Sequence, residues 1–374
     1  MIKVRMAVID MKRLFSVVII TILLCGAVMP FECHAAESTG GFEEIYNCID
    51  DMMSDSGVDL SYGEISGLSL SDIIARVRVS IADRLSAPIR TLVMLCMTVI
   101  ISSAVKNTGG ELSGGINSDI FSMISIAASA TVIVPELINV YNSAFEAVER
   151  TGSFILVFVP VFSGITAALG GIFSAGLYNG MVIAASEVLI KLVNTYFMPV
   201  ISAVSALAAA GSVFMDASLE RLTELLRKFI VYGLTVAVTL FTGFVSLKCT
   251  LSGKADGVAS KTAKFMISGL VPIVGGAVTD AYATVRSSMD IIRCTAGTAG
   301  TFAIILILLP PIIEIVAYRA VIGIGAAAAE IFSADRIQKL LKTFDSGLSI
   351  AQSVLICYGL MFILCTGILM NCIA

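Results

Sequence analysis

The chain has 374 residues, of which 57% are hydrophobic and 14% charged, with a formal net charge of -4 and a mean hydropathy of +0.96. Soluble domains carry about 25% charged residues, so this composition points to an all-α, polytopic helical membrane protein. Lys and Arg are scattered along the chain rather than gathered on one face, which argues against a phosphate-tracking surface and a nucleic-acid partner.

At the N-terminus, Lys3, Arg5, Lys12 and Arg13 flank or precede an apolar run from Leu14 to Val28, followed by Pro30 and the exit Cys33-His34-Ala35-Ala36. Basic, then apolar, then small at minus three and minus one is the order of a secretory signal. Residues 1–35 are therefore expected to be a signal peptide cleaved after Ala35, with the new N-terminus outside. An uncleaved anchor is the alternative, against which the shortness of the apolar run speaks. Cleavage removes His34, the only histidine, so imidazole bases, most zinc sites and Ser-His or Cys-His nucleophile pairs are excluded. No catalytic, cofactor-binding or metal-ligating residue is expected. Cys48, Cys96, Cys249, Cys294, Cys357, Cys365 and Cys372 show no Cys-x-x-Cys spacing and read as small core hydrophobes, Cys48 alone lying in an exported segment.

Residues 36–88 form a polar external region. Phe42, Ile45, Tyr46, Ile49 and Met53, then Leu70, Ile73, Ile74, Val77, Ile81 and Leu85, follow the spacing of two amphipathic helices around a loop, "SDSGVDLSYGEISG". Such helices lie on the membrane surface, dock on a partner, or pack on the protein's own spans.

After Pro88 come apolar segments near Ile89–Val105, Ile120–Tyr141, Phe154–Phe173, Gly176–Val193, Phe197–Val213, Phe229–Leu247, Phe265–Ala283, Ile291–Leu309, Ile312–Phe332 and Leu348–Cys372. Several fall short of the ~20 residues a straight span needs and are expected to be half-helices or tilted pieces. Residues 89–149 hold the first transmembrane helices, and an internal repeat organises the rest. Pro160 and Pro199 stand 39 residues apart, as do Pro272 and Pro311. "FVPVFSG" pairs with "LVPIVGG", and "ERLTELLRKF" from Glu220 pairs with "DRIQKLLKTF" from Asp335. Residues 150–247 and 262–373 are read as two copies of one unit. With one net crossing around Pro199 and one around Pro311, the Lys248–Lys264 loop falls inside with Arg319, Arg336, Lys339 and Lys342, and the positive-inside rule mildly prefers inverted copies.

Polar and backbone-breaking residues inside these segments are the candidate functional positions. Pro272 removes a backbone donor, and Gly275 and Gly276 bare the backbone, so carbonyls there must face protein or water, with Asp280 beside them. Interrupted helices of this kind build transporter sites, and they equally serve close helix packing. Glu187 and Lys191, four apart, read first as a structural ion pair and second as part of a polar conduit. Glu136 has no obvious local partner; Glu314, three residues after Pro311, is a candidate interior polar group.

"VPIVGGAVTDAYATV", the Gly-rich "CTAGTAG" and the run into "LPPIIEIVAYRA" resemble the stage III sporulation protein AE family of endospore-forming bacteria, over essentially the whole chain. The resemblance implies a membrane component of the channel or secretion-like complex between mother cell and forespore, which maintains the forespore and permits its late gene expression. It implies a multi-pass location in the mother-cell (outer forespore) membrane. The implied partners are other stage III sporulation proteins, namely ring-forming subunits, a secretion-type ATPase and small membrane subunits. It carries no catalytic residues and no cofactor. A permease-like or channel-core subunit is the expectation, a non-conducting scaffold the alternative, and an intramembrane enzyme ranks last.

Overall fold

The computed structural model describes residues 86–104, 116–197, 199–203, 217–270 and 275–372. The signal peptide, nearly all of the external region and Pro272 lie outside the described residues. Six helices carry the fold: α1 (Ser86–Ala104), α2 (Ile116–Ala168), α3 (Ile172–Leu192), α4 (Ala217–Leu270), α5 (Gly275–Ile331) and α6 (Asp335–Cys372). A π-helical turn, Val193–Phe197, extends α3. Each of the six contains a stretch long and apolar enough to cross a membrane.

The helices are longer than the apolar segments suggest. α2 has 53 residues, α4 54 and α5 57. At 1.5 Å per residue α5 is about 85 Å long, roughly twice a whole bilayer. The break expected at Pro310-Pro311, between the segments Ile291–Leu309 and Ile312–Phe332, does not occur: α5 runs through both prolines, and α2 likewise runs through Pro135 and Pro160. A proline removes one intrahelical bond and crowds the preceding turn. Here the turns on either side are held by neighbouring helices, with Phe158, Val159, Phe162, Ile307, Leu308 and Ile315 all buried in the common core.

Pairwise contacts fix the helix directions. Phe158 packs edge-on against Phe362 at 5.8 Å, and Tyr141 lies against Gly347, so α2 and α6 are parallel. Tyr178 bonds Thr366 (2.9 Å) and Ser186 bonds Tyr358 (2.6 Å), making α3 antiparallel to α6. Gly359 meets Leu308, and Arg319 meets Asp345, making α5 antiparallel to α6. Arg227 reaches Ser349, so α4 runs with α6. Successive helices therefore alternate in direction. The α2–α3 turn and the end of α6 share one end of the bundle, here the C-terminal end, and the α5–α6 turn marks the other.

The matching decapeptides open α4 and α6, which are parallel, while residues 271–274 of the second proline segment lie outside the described residues, so the repeat is not shown as a structural unit. Lys248, Lys254, Lys261 and Lys264 lie on α4 rather than in a loop. They fall at the C-terminal end, opposite Arg336, Lys339 and Lys342 on α6.

Stretches free of Asp, Glu, Lys and Arg lie side by side: 151–168 of α2, 172–186 of α3, 229–247 of α4, 294–313 of α5 and 346–372 of α6. Within this slab Phe154, Phe158 and Phe162 stack along α2 at 5.4 and 5.5 Å. The Gly-rich stretch of α5 gives them room, because a Cβ on Gly300 would overlap the Phe158 ring.

Candidate functional site: a polar layer between the helices

Where the charge-free slab ends on the α5–α6 turn side, charged and hydroxyl side chains from four helices converge. α5 supplies Glu314 and Tyr318, one helical turn apart and therefore on one side of the helix, with Arg319 next to Tyr318 and directed toward α6. α2 supplies Glu136 and Ser143, two turns apart. α6 supplies Asp345, Ser349 and Gln352, also spaced by single turns, and α4 supplies Arg227.

The bonds are specific. Tyr318 donates its hydroxyl proton to Glu136 Oε2 at 2.9 Å. Ser143 donates to Glu314 Oε2 at 3.1 Å. Arg319 grips Asp345 with Nε (2.7 Å) and Nη2 (3.2 Å) and donates from Nη1 to Gln352 Oε1 at 2.7 Å. This two-pronged geometry is the strong form of an Arg–carboxylate pair. Arg319 retains 14% of its side-chain exposure, and Gln352 and Tyr318 are buried. In apolar surroundings a lone charge is costly, and pairing plus hydrogen bonding is what makes burial tolerable.

Of the positions singled out in the sequence, Glu314 belongs to this layer and Pro311 is buried on α5 one turn before it. Gly275, Gly276 and Asp280 sit in the first turns of α5 at the opposite end; the side chain of Asp280 is outside the described set. Glu187 and Lys191 are both exposed on α3, and no ion pair joins them. Two long side chains free to reach water or headgroups lose more entropy by pairing than an i,i+4 contact returns. Asp345, Gln352 and Ser143 were not singled out. Their signal was the seven-residue spacing of Asp345 to Gln352 and of Glu136 to Ser143, which puts each pair on one helix face.

Two further polar anchors lie at the C-terminal end. Asp256 of α4, 4% exposed, accepts from the backbone N–H of Phe173 and Ser174 (both 3.0 Å) and from the Ser174 hydroxyl (2.6 Å). It thus caps α3, whose own N-cap residue, Gly171, has no side chain to do so. Arg293 of α5, 1% exposed, donates from Nη2 to Asp290 Oδ1 (2.7 Å) and to the Met370 carbonyl (3.0 Å) near the end of α6, a favourable place for a cation. Among the described residues no group of three or more His, Cys, Asp or Glu is placed to hold a metal ion.

Long apolar helices tied together by a partly buried layer of one ion pair and hydrogen-bonded carboxylates and hydroxyls define a polytopic membrane protein. The chain belongs to the stage III sporulation protein AE family, whose model matches residues 54–372, and so to the sporulation machinery. Stage III sporulation protein AE of Bacillus subtilis (strain 168) is 26% identical over 223 residues, covering 60% of this chain and 56% of that protein. The chain thus spans little more than half the length of this curated relative. No solved structure matches it.

Proposed function

We propose that this protein is the permease-like or channel-core membrane subunit of the complex that connects mother cell and forespore, sustaining the forespore and its late gene expression during endospore formation. In this reading it resides in the mother-cell (outer forespore) membrane. It works there with ring-forming subunits, a secretion-type ATPase and small membrane subunits, and it catalyses no reaction of its own. The observation that carries the reading is the polar layer. A passage through apolar helices needs groups that hold or relay charge at depth, and Glu136, Tyr318, Glu314 and Ser143 supply carboxylates and hydroxyls on two facing helices.

A second reading, a non-conducting scaffold, is favoured by one feature of the same layer: Arg319 is engaged by both Asp345 and Gln352, as in a clamp that fixes α5 against α6. One substitution separates the readings, and a second reports on the clamp. Glu314→Gln keeps the shape and removes the charge. On the conduit reading it leaves protein abundance and complex assembly normal while heat-resistant spores fall, because an ionisable group at depth in the pathway is lost. On the scaffold reading spore counts stay normal. Asp345→Asn strips Arg319 of its counter-charge; because the carboxylate is 38% exposed, the expected destabilisation is about 1 kcal/mol on either reading, so it reports the clamp alone.

A further inference from the structure

A groove of about 600 Å³ lies between the parallel helices α4 and α6 near the C-terminal end of the bundle. Its walls include Thr250, Gly253 and Lys254 of α4 and Leu364, Gly367 and Asn371 of α6. Both helices rise toward that end, so Leu364 lies at the deep end and Lys254 and Asn371 at the outer end. On α4 the charge-free stretch stops at Leu247 and Lys248 follows, so the groove crosses from the apolar slab into the charged band above it.

We propose that this groove binds an anionic phospholipid, with an acyl chain against Leu364 and the headgroup phosphate at Lys254 and Asn371. The polarity gradient is the first argument. A deep end lined by Leu364 and Ile368 of α6 with one hydroxyl, Ser246 of α4, and an outer end bearing Lys254 and Asn371, in that order along the membrane normal, match a lipid, whereas a free anion has no use for the aliphatic part.

The state of the rim is the second. Among the described residues Lys254 forms no ion pair, whereas Lys228 on the same helix pairs with Glu224. The nearby acid, Asp256, is fully engaged in capping α3. Asn371 donates one amide proton to the Gly367 carbonyl (2.9 Å) and keeps a second. The last carbonyls of α6 oppose an anion at this point. Arg293 offsets them by bonding the Met370 carbonyl, and its Nε and Nη1 donors are buried without a hydrogen-bond partner among the described residues. Lys254 is thus the cationic group of the groove's outer end, since Arg293 lies behind α6, is ion-paired with Asp290 and does not line the groove.

The test uses the full chain purified in a mild non-ionic detergent, with native mass spectrometry and thermal unfolding as readouts. Dioleoyl-phosphatidylglycerol is expected to remain bound and to raise the melting temperature, and dioleoyl-phosphatidylcholine to do neither. Lys254→Gln should lower phosphatidylglycerol retention about fivefold, the contribution of one lysine at a membrane surface. Gly367→Leu, which puts a side chain into the groove, should abolish retention. Lys261→Gln, elsewhere on α4, should leave it unchanged. Equal retention of both lipids, or an equal loss in Lys254→Gln and Lys261→Gln, would overturn the proposal. So would stabilisation by inorganic phosphate alone, which would assign the rim to a free anion. Should Gly367→Leu fail to fold, the comparison of the two lysine variants still decides.

Discussion

At the scale of single residues, the buried charges Asp256 and Arg293 are placed where a backbone or a counter-charge waits for them. Asp256 is the clearest case, because its three bonds all go to the first turn of another helix. A carboxylate there satisfies two orphan N–H groups and faces the positive end of the α3 dipole. Asp256→Ala leaves those donors buried and unpaired, which should cost about 3 kcal/mol, whereas Asp256→Asn retains one acceptor oxygen and should lose about half as much. Thermal unfolding of the purified variants checks the order: an alanine variant as stable as the asparagine variant would show that the carboxylate does not hold α3. The sequence offered little warning of this role. Asp256 stands in a Lys-rich stretch that reads as solvated, and only the approach of α3, 83 residues away along the chain, gives it a partner. Glu187 and Lys191 fail in the opposite direction, since local spacing suggests a pair and exposure removes the reason for one.

At the scale of elements, the apolar segments were legible and their ends were not. Hydropathy marks what can be buried, while helix termini depend on backbone bonds that neighbours can supply. That is why "LVFVPVFSG" reads as an entry point and yet lies within α2, and why "LLPPIIEI" lies within α5. Helix association inside lipid rests on packing rather than on a hydrophobic drive, so small residues decide how closely α2 and α5 approach. Gly297 and Gly300 both face α2, where a Cβ would meet the Phe162 and Phe158 rings. Phe158 has little room to yield, being stacked between Phe154 and Phe162 and capped by Phe362. Gly300→Ala should therefore destabilise by about 1–3 kcal/mol through overpacking. Phe158→Leu added to it should recover part of that loss, a coupling that a double-mutant cycle measures. Strict additivity of the two substitutions would mean that the glycine and the ring do not compete for the same space.

At the scale of the whole molecule, the alternation of helix directions makes a prediction that segment counting did not. The positive-inside reading of the sequence places the Lys248–Lys264 stretch on one side of the membrane with Arg336, Lys339 and Lys342, and the chain end on the other. In the bundle α4 and α6 are parallel, so positions equivalent along them lie on the same side, and the two lysine-bearing regions are separated by the full apolar slab. Among the described residues, six Lys and Arg lie at the C-terminal end (Lys248, Lys254, Lys261, Lys264, Arg286 and Arg293) and ten toward the other (Arg90, Arg150, Lys191, Arg221, Arg227, Lys228, Arg319, Arg336, Lys339 and Lys342), so the positive-inside rule prefers the α5–α6 turn side as the cytoplasmic one. Relative sidedness is fixed by the helix pairing. Reporters of cytoplasmic or external location inserted at the α2–α3 turn, after Gly170, and at the chain end, after Ala374, should give the same signal. One inserted in the α5–α6 turn, after Ser333, should give the opposite signal. A chain whose two halves were related as inverted copies, with one net crossing around Pro311, would instead separate the α4 lysines from the chain end. Inserting the reporter after Lys261 therefore distinguishes the arrangements: agreement with the Ala374 reporter supports the alternating bundle, and disagreement would mean that α4 and α6 are not parallel in the membrane.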